Sequence, residues 1–295
     1  MPELRHLRYF AAVADELNFS RAAQRLHMAQ PPLSAAIRQL ERELGVELFT
    51  RTSREVKLTD AGRAFLLGAQ RTLAEADRAV QDARSAAAGE LGQLRIAYSW
   101  SVRFETLPVL GRALRASHPG VDLLAQEMWN AQMAPALASG SIDVAISLCP
   151  EIAAGLDVDP IRREPIVALM PATHPLARGG SISLSSLAGE EFLLFPRELA
   201  PRLHDVFVAI YRHAGFEPRL RAESFHAGWD LGILADIGAL VLAPASVATG
   251  LPDSIVAVAV SEPPDTLETC LVSRTDSPSP AVAACRAAAR ELFGR

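Results

Sequence analysis

The stretch NFSRAAQRLHMAQPPLSAAIRQLERELGVELFTR, from Asn18 to Arg51, decides how the amino-terminal part of the chain folds. Asn18 or Ser20 offers a side-chain oxygen to cap a short helix, whose apolar side runs through Ala22, Ala23 and Leu26. The Met28-Ala29-Gln30-Pro31 segment then redirects the chain sharply. Pro31 and Pro32 fit the first turn of a second helix, where an amide hydrogen has no carbonyl partner in any case. Leu33, Ile37, Leu40 and Leu44 recur at helical spacing on one face of this helix, and Ser34, Arg38, Gln39 and Arg42 occupy the other. A glutamine and a serine near the amino end, with arginines beyond, supply the donors and acceptors that match base edges and phosphates in a major groove. The expected element is a helix-turn-helix followed by a basic wing, and its expected partner is double-stranded DNA.

Two longer stretches, RHLRYFAAVADELNFSRAAQRLHMAQPPLS (Arg5 to Ser34) and LERELGVELFTRTSREVKLTDAG (Leu40 to Gly62), resemble the amino-terminal domain of LysR-type transcriptional regulators. The RHLRYF and AQPPLS wording is most similar to the branch that controls degradation of catechols and related aromatic acids. The resemblance implies that Gln30, Pro31, Pro32 and Ser34 open the recognition helix and touch promoter DNA, and that Arg54 in the wing approaches the minor groove or backbone. Ser20, Arg38 and Arg51 complete the expected DNA-contacting set. One departure stands out: the family often has Ser-Arg-Gln where this chain has Ser34-Ala35-Ala36. Either Arg38 and Arg51 carry more of the affinity, or the operator differs from those of relatives.

The 295 residues suffice for one small domain and one or two larger ones, and 49% hydrophobic with 21% charged residues is an ordinary globular composition. The net charge of −5 argues against nucleic acid until it is divided along the chain. Residues 1 to 65 hold ten Arg or Lys against eight Asp or Glu, leaving 19 against 26 in the remainder. Phosphate binding therefore rests on a few placed arginines and helix amino ends, doubled in a dimer. No apolar run reaches the length of a membrane span and the first residues lack the build of a signal peptide, so a cytoplasmic protein with no membrane partner is expected. Cys149, Cys270 and Cys285 are too scattered for a disulfide framework or a zinc site, and the seven histidines show no metal-ligand spacing. No metal or cofactor is expected. Some relatives sense peroxide through a cysteine pair in the second regulatory subdomain, and no cysteine lies between Cys149 and Cys270 to serve that chemistry.

A long helix capped by Thr59 and Asp60 follows the wing. Leu66, Ala69, Leu73, Ala76, Val80 and Ala83 step along it by three and four, a heptad seam expected to pair with a second copy. A hinge at Gly89 to Gly92 ends it. Beyond the hinge, short strands and helices alternate: strands Leu94 to Tyr98, Val121 to Glu127 and Ile142 to Leu148, with helices Leu107 to Ser117 and Ala131 to Ser139. The pattern restarts with strands Ile166 to Met170 and Phe192 to Phe195, helix Arg202 to Ala214, strand Arg219 to Ser224, helix Gly228 to Asp236 and strand Ala239 to Leu242. Strand Thr269 to Val272 and helix Pro280 to Phe293 close the chain. The fold class is thus α+β multidomain: a winged helix-turn-helix over residues 1–59, a linker helix over 60–89, and a two-lobed α/β effector domain. The resemblance implies an effector domain similar to periplasmic solute-binding proteins, with lobe I at 90–163 plus 268–295 and lobe II at 164–267.

In doubly wound sheets ligands sit beyond the carboxyl ends of strands. The candidate effector residues are therefore Ser99, Trp100 and Ser101 after one strand, and Trp129 and Asn130 ahead of a helix whose free amides suit a carboxylate. From lobe II come Phe195, Pro196, Arg197 and His226. Trp100 and Trp129 either stack on an aromatic effector or narrow the cleft. No GxSxG, GxxxxGK or GxGxxG motif and no nucleophile, base and acid set stands out, so no catalytic residue is expected. A solute-binding transport component fits the two lobes alone, but not the attached DNA-binding unit. The expected function is a transcription regulator controlled by a small carboxylate, assembled as a homodimer and onward to a homotetramer, and working with RNA polymerase.

Overall fold

Helix α1 (Leu4–Glu16) leads into α2 (Phe19–Arg25), and Asn18, not Ser20, caps the latter: its Oδ1 accepts from the amides of Ser20 and Arg21 at 2.9 and 3.0 Å. Helix α3 (Gln30–Leu44) starts on the two prolines and ends where Gly45 adopts φ 71°. Strands β1 (Phe49–Arg51) and β2 (Val56–Leu58) pair antiparallel as the wing, and helix α4 (Asp60–Ala88) follows. Thr59 joins wing to helix, with its hydroxyl donating to the Glu47 carbonyl and accepting from the Gly62 amide. The coordinates are a computed structural model that describes residues 2–51, 55–88, 92–221, 231–262 and 266–294. Two compact units divide them, Met1–Ala87 and Ala88–Leu137 with Ile142–Arg295, while Ala138–Ser141 group with the first.

The core of the first unit gathers the faces expected from sequence, with Phe10, Val13, Leu33, Ile37, Leu40 and Phe49 buried together. Phe10 meets Phe49 at 5.3 Å and Phe65 of α4 at 5.1 Å between ring centroids. That last contact corrects the seam. Ala69 is 2% exposed, and Leu66 and Leu73 pack partly buried against the same core, so the amino-terminal half of the expected seam serves its own chain. Three- and four-residue steps recur on any helix that buries one face, and they do not say against what. Val80, 50% exposed, and exposed Ala83 remain open to a partner, and Leu67 joins them on the surface.

In the second unit, strand β3 (Gly92–Tyr98), helix α5 (Thr106–Ser117), strand β4 (Val121–Glu127), helix α6 (Asn130–Ser139) and strand β5 (Val144–Leu148) lie within a residue or two of the sequence reading. β3 runs parallel to both β4 and β5, so their carboxyl ends share one edge. Strand β6 (Leu156–Pro171) differs: it is one 16-residue strand that traverses the expected lobe boundary at 163/164. Its first part reads LDVDPIRREP, too charged and proline-rich to announce a strand. Its charges are matched instead by neighbours. Arg286 bridges Asp157 and Asp159 at 3.0 and 2.8 Å, and Arg162 reaches Glu105 at 2.8 Å.

Lobe II is built from β7 (Ser181–Ser183), β8 (Glu191–Leu193), α7 (Pro201–His213), β9 (Arg219–Arg221), α8 (Ile233–Ile237), β10 (Val241–Pro244) and β11 (Ile255–Glu262). Strand β12 (Thr266–Arg274) returns to lobe I and α9 (Pro280–Phe293) covers it. The sheet order β4-β3-β5-β12-β6-β11-β7, with β10 on the other side of β6, makes β6 the shared backbone of both lobes. β11 was not expected at all, and β10 lies two residues later than the sequence suggested. Of the helix expected over Gly228 to Asp236, residues 228–230 lie outside the described residues, and the helix itself is short, opening only at Ile233 and ending at Ile237 before Gly238.

Candidate functional site

On α3 the exposed surface holds Gln30, Pro31, Pro32, Ala35, Arg38, Gln39 and Arg42, continuous with exposed Ser20 and Arg21 on α2. Ser34 departs from expectation, because it is 6% exposed and accepts from Arg38 Nη2 at 3.1 Å through its hydroxyl. Residues four apart are neighbours on a helix surface, so this bond steadies the Arg38 guanidinium on the outer face. Arg51 departs likewise. It pairs with Glu41 at 2.6 Å and lies over the Phe19 ring at 4.8 Å, while the other Glu41 oxygen accepts from the amides of Leu48 and Phe49. A carboxylate that ties the wing to α3 holds this cation at the wing's root. Arg54 lies outside the described residues.

In the effector domain, residues at the shared carboxyl edge of β3, β4 and β5 line a cavity of about 70 Å³. Ser99, Trp100, Ser101, Trp129 and Asn130 form its lobe I side, as expected. Trp129 caps α6, its amide donating to Gln132 Oε1 at 3.2 Å. Asn130 is 3% exposed and its Nδ2 donates to the carbonyls of Leu148 and Cys149 at 2.8 and 3.4 Å. The hydrogens of this side-chain amide thus tie the end of β5 to α6, which leaves an anion the backbone amides of the helix start. Ser99 Oγ accepts from the Leu148 amide at 3.4 Å, which leaves its own hydrogen to donate.

Lobe II contributes an apolar wall of Phe195, Leu203 and Phe207, with Val241 to Pro244 at the end of β10. Phe195 meets Trp129 across the cleft at 5.6 Å. Pro196 and Arg197 do not line it. Arg197 is 61% exposed and bound twice to Asp205, at 2.8 and 2.7 Å, a pairing in water that costs less than pointing a cation at an apolar wall. His226 lies outside the described residues. The sequence reading missed Glu127, the last residue of β4, and the end of β10. The same strand-end rule finds both, once β10 is placed correctly.

The lobes also meet beside the cavity. Trp100 and Phe104, from lobe I, are in edge contact at 4.9 Å and pack against the lobe II cluster of Val167, Leu169, Val241 and Val247. Buried Glu164 of β6 accepts from the Ser246 amide at 2.9 Å and lies 3.4 Å from Arg162. A further bond joins the lobes where Glu151 accepts from the Arg202 amide at the start of α7. None of these groups forms a nucleophile, base and orienting acid, and no cluster of three or more metal-ligating side chains occurs among the described residues. Burial raises the Cys149 thiol, and pushes those of Cys270 and Cys285 up to about 12, which keeps them as unreactive thiols.

The model of the bacterial regulatory helix-turn-helix protein, lysR family, matches residues 4–63, and that of the LysR substrate binding domain matches residues 87–294. The chain belongs to the LysR family of transcriptional regulators. The TdfR regulator of Cupriavidus pinatubonensis (strain JMP 134 / LMG 1197) is 35% identical over 99% of each chain, and AlsR of Bacillus subtilis (strain 168) is 36% identical over 83% of this chain and 81% of its own. Among solved structures, CbnR, a LysR family transcriptional regulator, aligns over 99% of both chains at 30% identity with a TM-score of 0.78. Full-length CbnR complexed with target DNA gives 31% identity and a TM-score of 0.76, covering 98% of this chain and 99% of that one. This LysR-family chain is thus a DNA-binding transcriptional regulator with an effector-binding domain, and not an enzyme. No helix among its described residues is long and apolar enough to cross a membrane.

Proposed function

We propose that this regulator reads an operator with the exposed face of α3 and answers to a small carboxylate bound between its two lobes. Gln30, with Pro31 and Pro32 beside it, opens the helix toward base edges, and Arg38, held by Ser34, follows farther along the same face. Ser20 contacts the flanking phosphates and Arg54 extends the contact through the wing. CbnR, similar over its full length, has been solved on its target DNA, which supports this reading. Two copies joined along the exposed part of α4, around Ala76, Val80 and Ala83, place two recognition helices one DNA turn apart, and two such dimers form a tetramer. The regulator acts in the cytoplasm on promoters served by RNA polymerase.

The observation that carries the effector reading is the cavity itself. Ser99 and the first turn of α6 present hydrogen-bond donors at one end, and Phe195, Leu203 and Phe207 present an apolar wall at the other. A carboxylate at the donor end and a short carbon skeleton against the wall satisfy both. At about 70 Å³ the space is roughly half that of cavities known to take up benzene, so an aromatic ring enters only if the Trp129 and Phe195 contact opens. Effector binding changes DNA binding only if the open and closed lobes differ in affinity for it.

Sequencing the DNA bound by the protein in cells identifies the operator, and gel shifts on it then test both halves. Gln30→Ala is expected to lower operator affinity by about 1 to 3 kcal/mol while random DNA loses little. Equal losses on both would remove Gln30 from base reading. Small carboxylates are expected to shift the operator complex where their neutral amides do not.

A further inference from the structure

Glu127 is an acid in the wall of a site read here as one for an anion. It ends β4, opposite Tyr98 of β3 in the sheet register, so its side chain stands one strand away from the Ser99 turn. Its side chain is 29% exposed, and among the described residues its cationic neighbour is Arg103, whose Nη1 lies 3.6 Å from Glu127 Oε2 and which is 47% exposed. Closing the cleft over a purely apolar acid strips water from the Glu127 carboxylate and replaces it with nothing, at a cost that the long contact to Arg103 does not offset. It also sets two negative charges in one small cavity. A ligand that brings a donor to Glu127 removes both penalties.

We infer that Glu127 selects an effector that carries an N–H or O–H donor close to its carboxylate, a small hydroxy or amino acid in place of a simple fatty or aromatic acid. The inference rests on the carboxylate reading above and deepens it. Adjacent strands lie about 4.8 Å apart, so Ser99, after β3, and Glu127, at the end of β4, reach the ligand from about one strand spacing apart. A donor on the second or third carbon, with a hydrogen bond at each end, spans those two groups at once, and the cavity admits a skeleton of only a few carbons.

Four probes on one four-carbon skeleton decide it in calorimetry with the full chain: butanoate, 2-hydroxybutanoate, 2-aminobutanoate and the neutral 2-hydroxybutanamide. One of the two donor-bearing acids is expected to bind at least about tenfold tighter than butanoate, and Glu127→Leu is expected to bring the ratio to about one. Glu127→Gln separates the donors, because it retains an acceptor for a hydroxyl and loses the charge that favours an ammonium. Butanoate binding as tightly as the donor-bearing acids, or an unchanged ratio in Glu127→Leu, overturns the Glu127 assignment and leaves the carboxylate reading standing. The neutral amide binding as tightly as 2-hydroxybutanoate overturns the carboxylate reading instead. Silence from all four probes at millimolar concentration overturns both.

Discussion

Glu41 illustrates how one side chain fixes a functional surface without facing it. Its carboxylate accepts from the Leu48 and Phe49 amides at 3.0 and 3.2 Å and holds Arg51 at 2.6 Å, with its side chain 12% exposed. Glu41→Ala leaves two amides and a guanidinium without their acceptor, and is expected to destabilise the amino-terminal unit by about 2 to 3 kcal/mol in urea. A loss below about 0.5 kcal/mol would mean that water replaces the carboxylate. Gly250 is a second such residue, in the turn after β10. A Cβ there falls 2.5 Å from Cδ1 and 2.7 Å from Cε1 of Phe104, whose ring is already fixed against Trp100. Gly250→Ala is expected to cost about 1 to 3 kcal/mol by overpacking the junction of the lobes, and Phe104→Leu to restore part of it. Additive thermal shifts in the double variant would uncouple the two positions.

Helix α4 shows what periodicity leaves open at the scale of an element. Its spacing was legible as a seam, yet Ala69 and Leu73 pack into the core of their own chain with Phe10 and Phe65, while Val80 does not. The two halves therefore predict different failures. Leu73→Glu places a charge against a packed core and is expected to destabilise the amino-terminal unit by about 2 to 4 kcal/mol, seen as a lower melting temperature. Val80→Glu is expected to leave that melting temperature nearly unchanged and to shift light scattering toward a smaller species. A dimer that survives Val80→Glu would move the contact off this part of α4. Strand β6 makes the complementary point, because Asp157, Asp159, Arg162 and Glu164 disguised a strand whose partners come from distant segments.

In the effector domain as a whole, the start of the strand that joins the lobes is clamped by helix α9 and by the turn after β12. Thr275 donates to Asp157 at 2.8 Å and Arg286 to the same carboxylate at 3.0 Å, and these bonds hold the Asp157 carboxyl below its usual range. A depressed carboxyl stabilises the fold fully above its unfolded value of about 4, and the contribution disappears as pH falls through the lower folded value. Asp157→Asn is thus expected to lower the melting temperature at neutral pH and to match the native chain once both are acidified well below about pH 4. A difference that persists unchanged in acid would assign the effect to geometry and not to charge. Where β6 passes from one lobe to the other it is held separately, by the Ser246 amide donating to Glu164.

The sequence alone determined the elements whose signals are local: a capped helix start at Asn18 or Ser20, the Pro31-Pro32 helix start, the buried stripe of Leu33, Ile37 and Leu40, and the full span of Pro280 to Phe293. It also located Ser99, Trp100, Ser101, Trp129 and Asn130 at the cleft, since strand ends in an alternating pattern lie on one edge. Only the tertiary structure decided which groups were free to act there. Ser34 is turned inward, Arg51 is bound by Glu41, Arg197 by Asp205, and the Asn130 amide by the end of β5. A side chain's type gives the bonds it is able to make, whereas the bonds it does make depend on partners that the fold brings from far along the chain, as Glu127 and Phe195 are brought to one cavity.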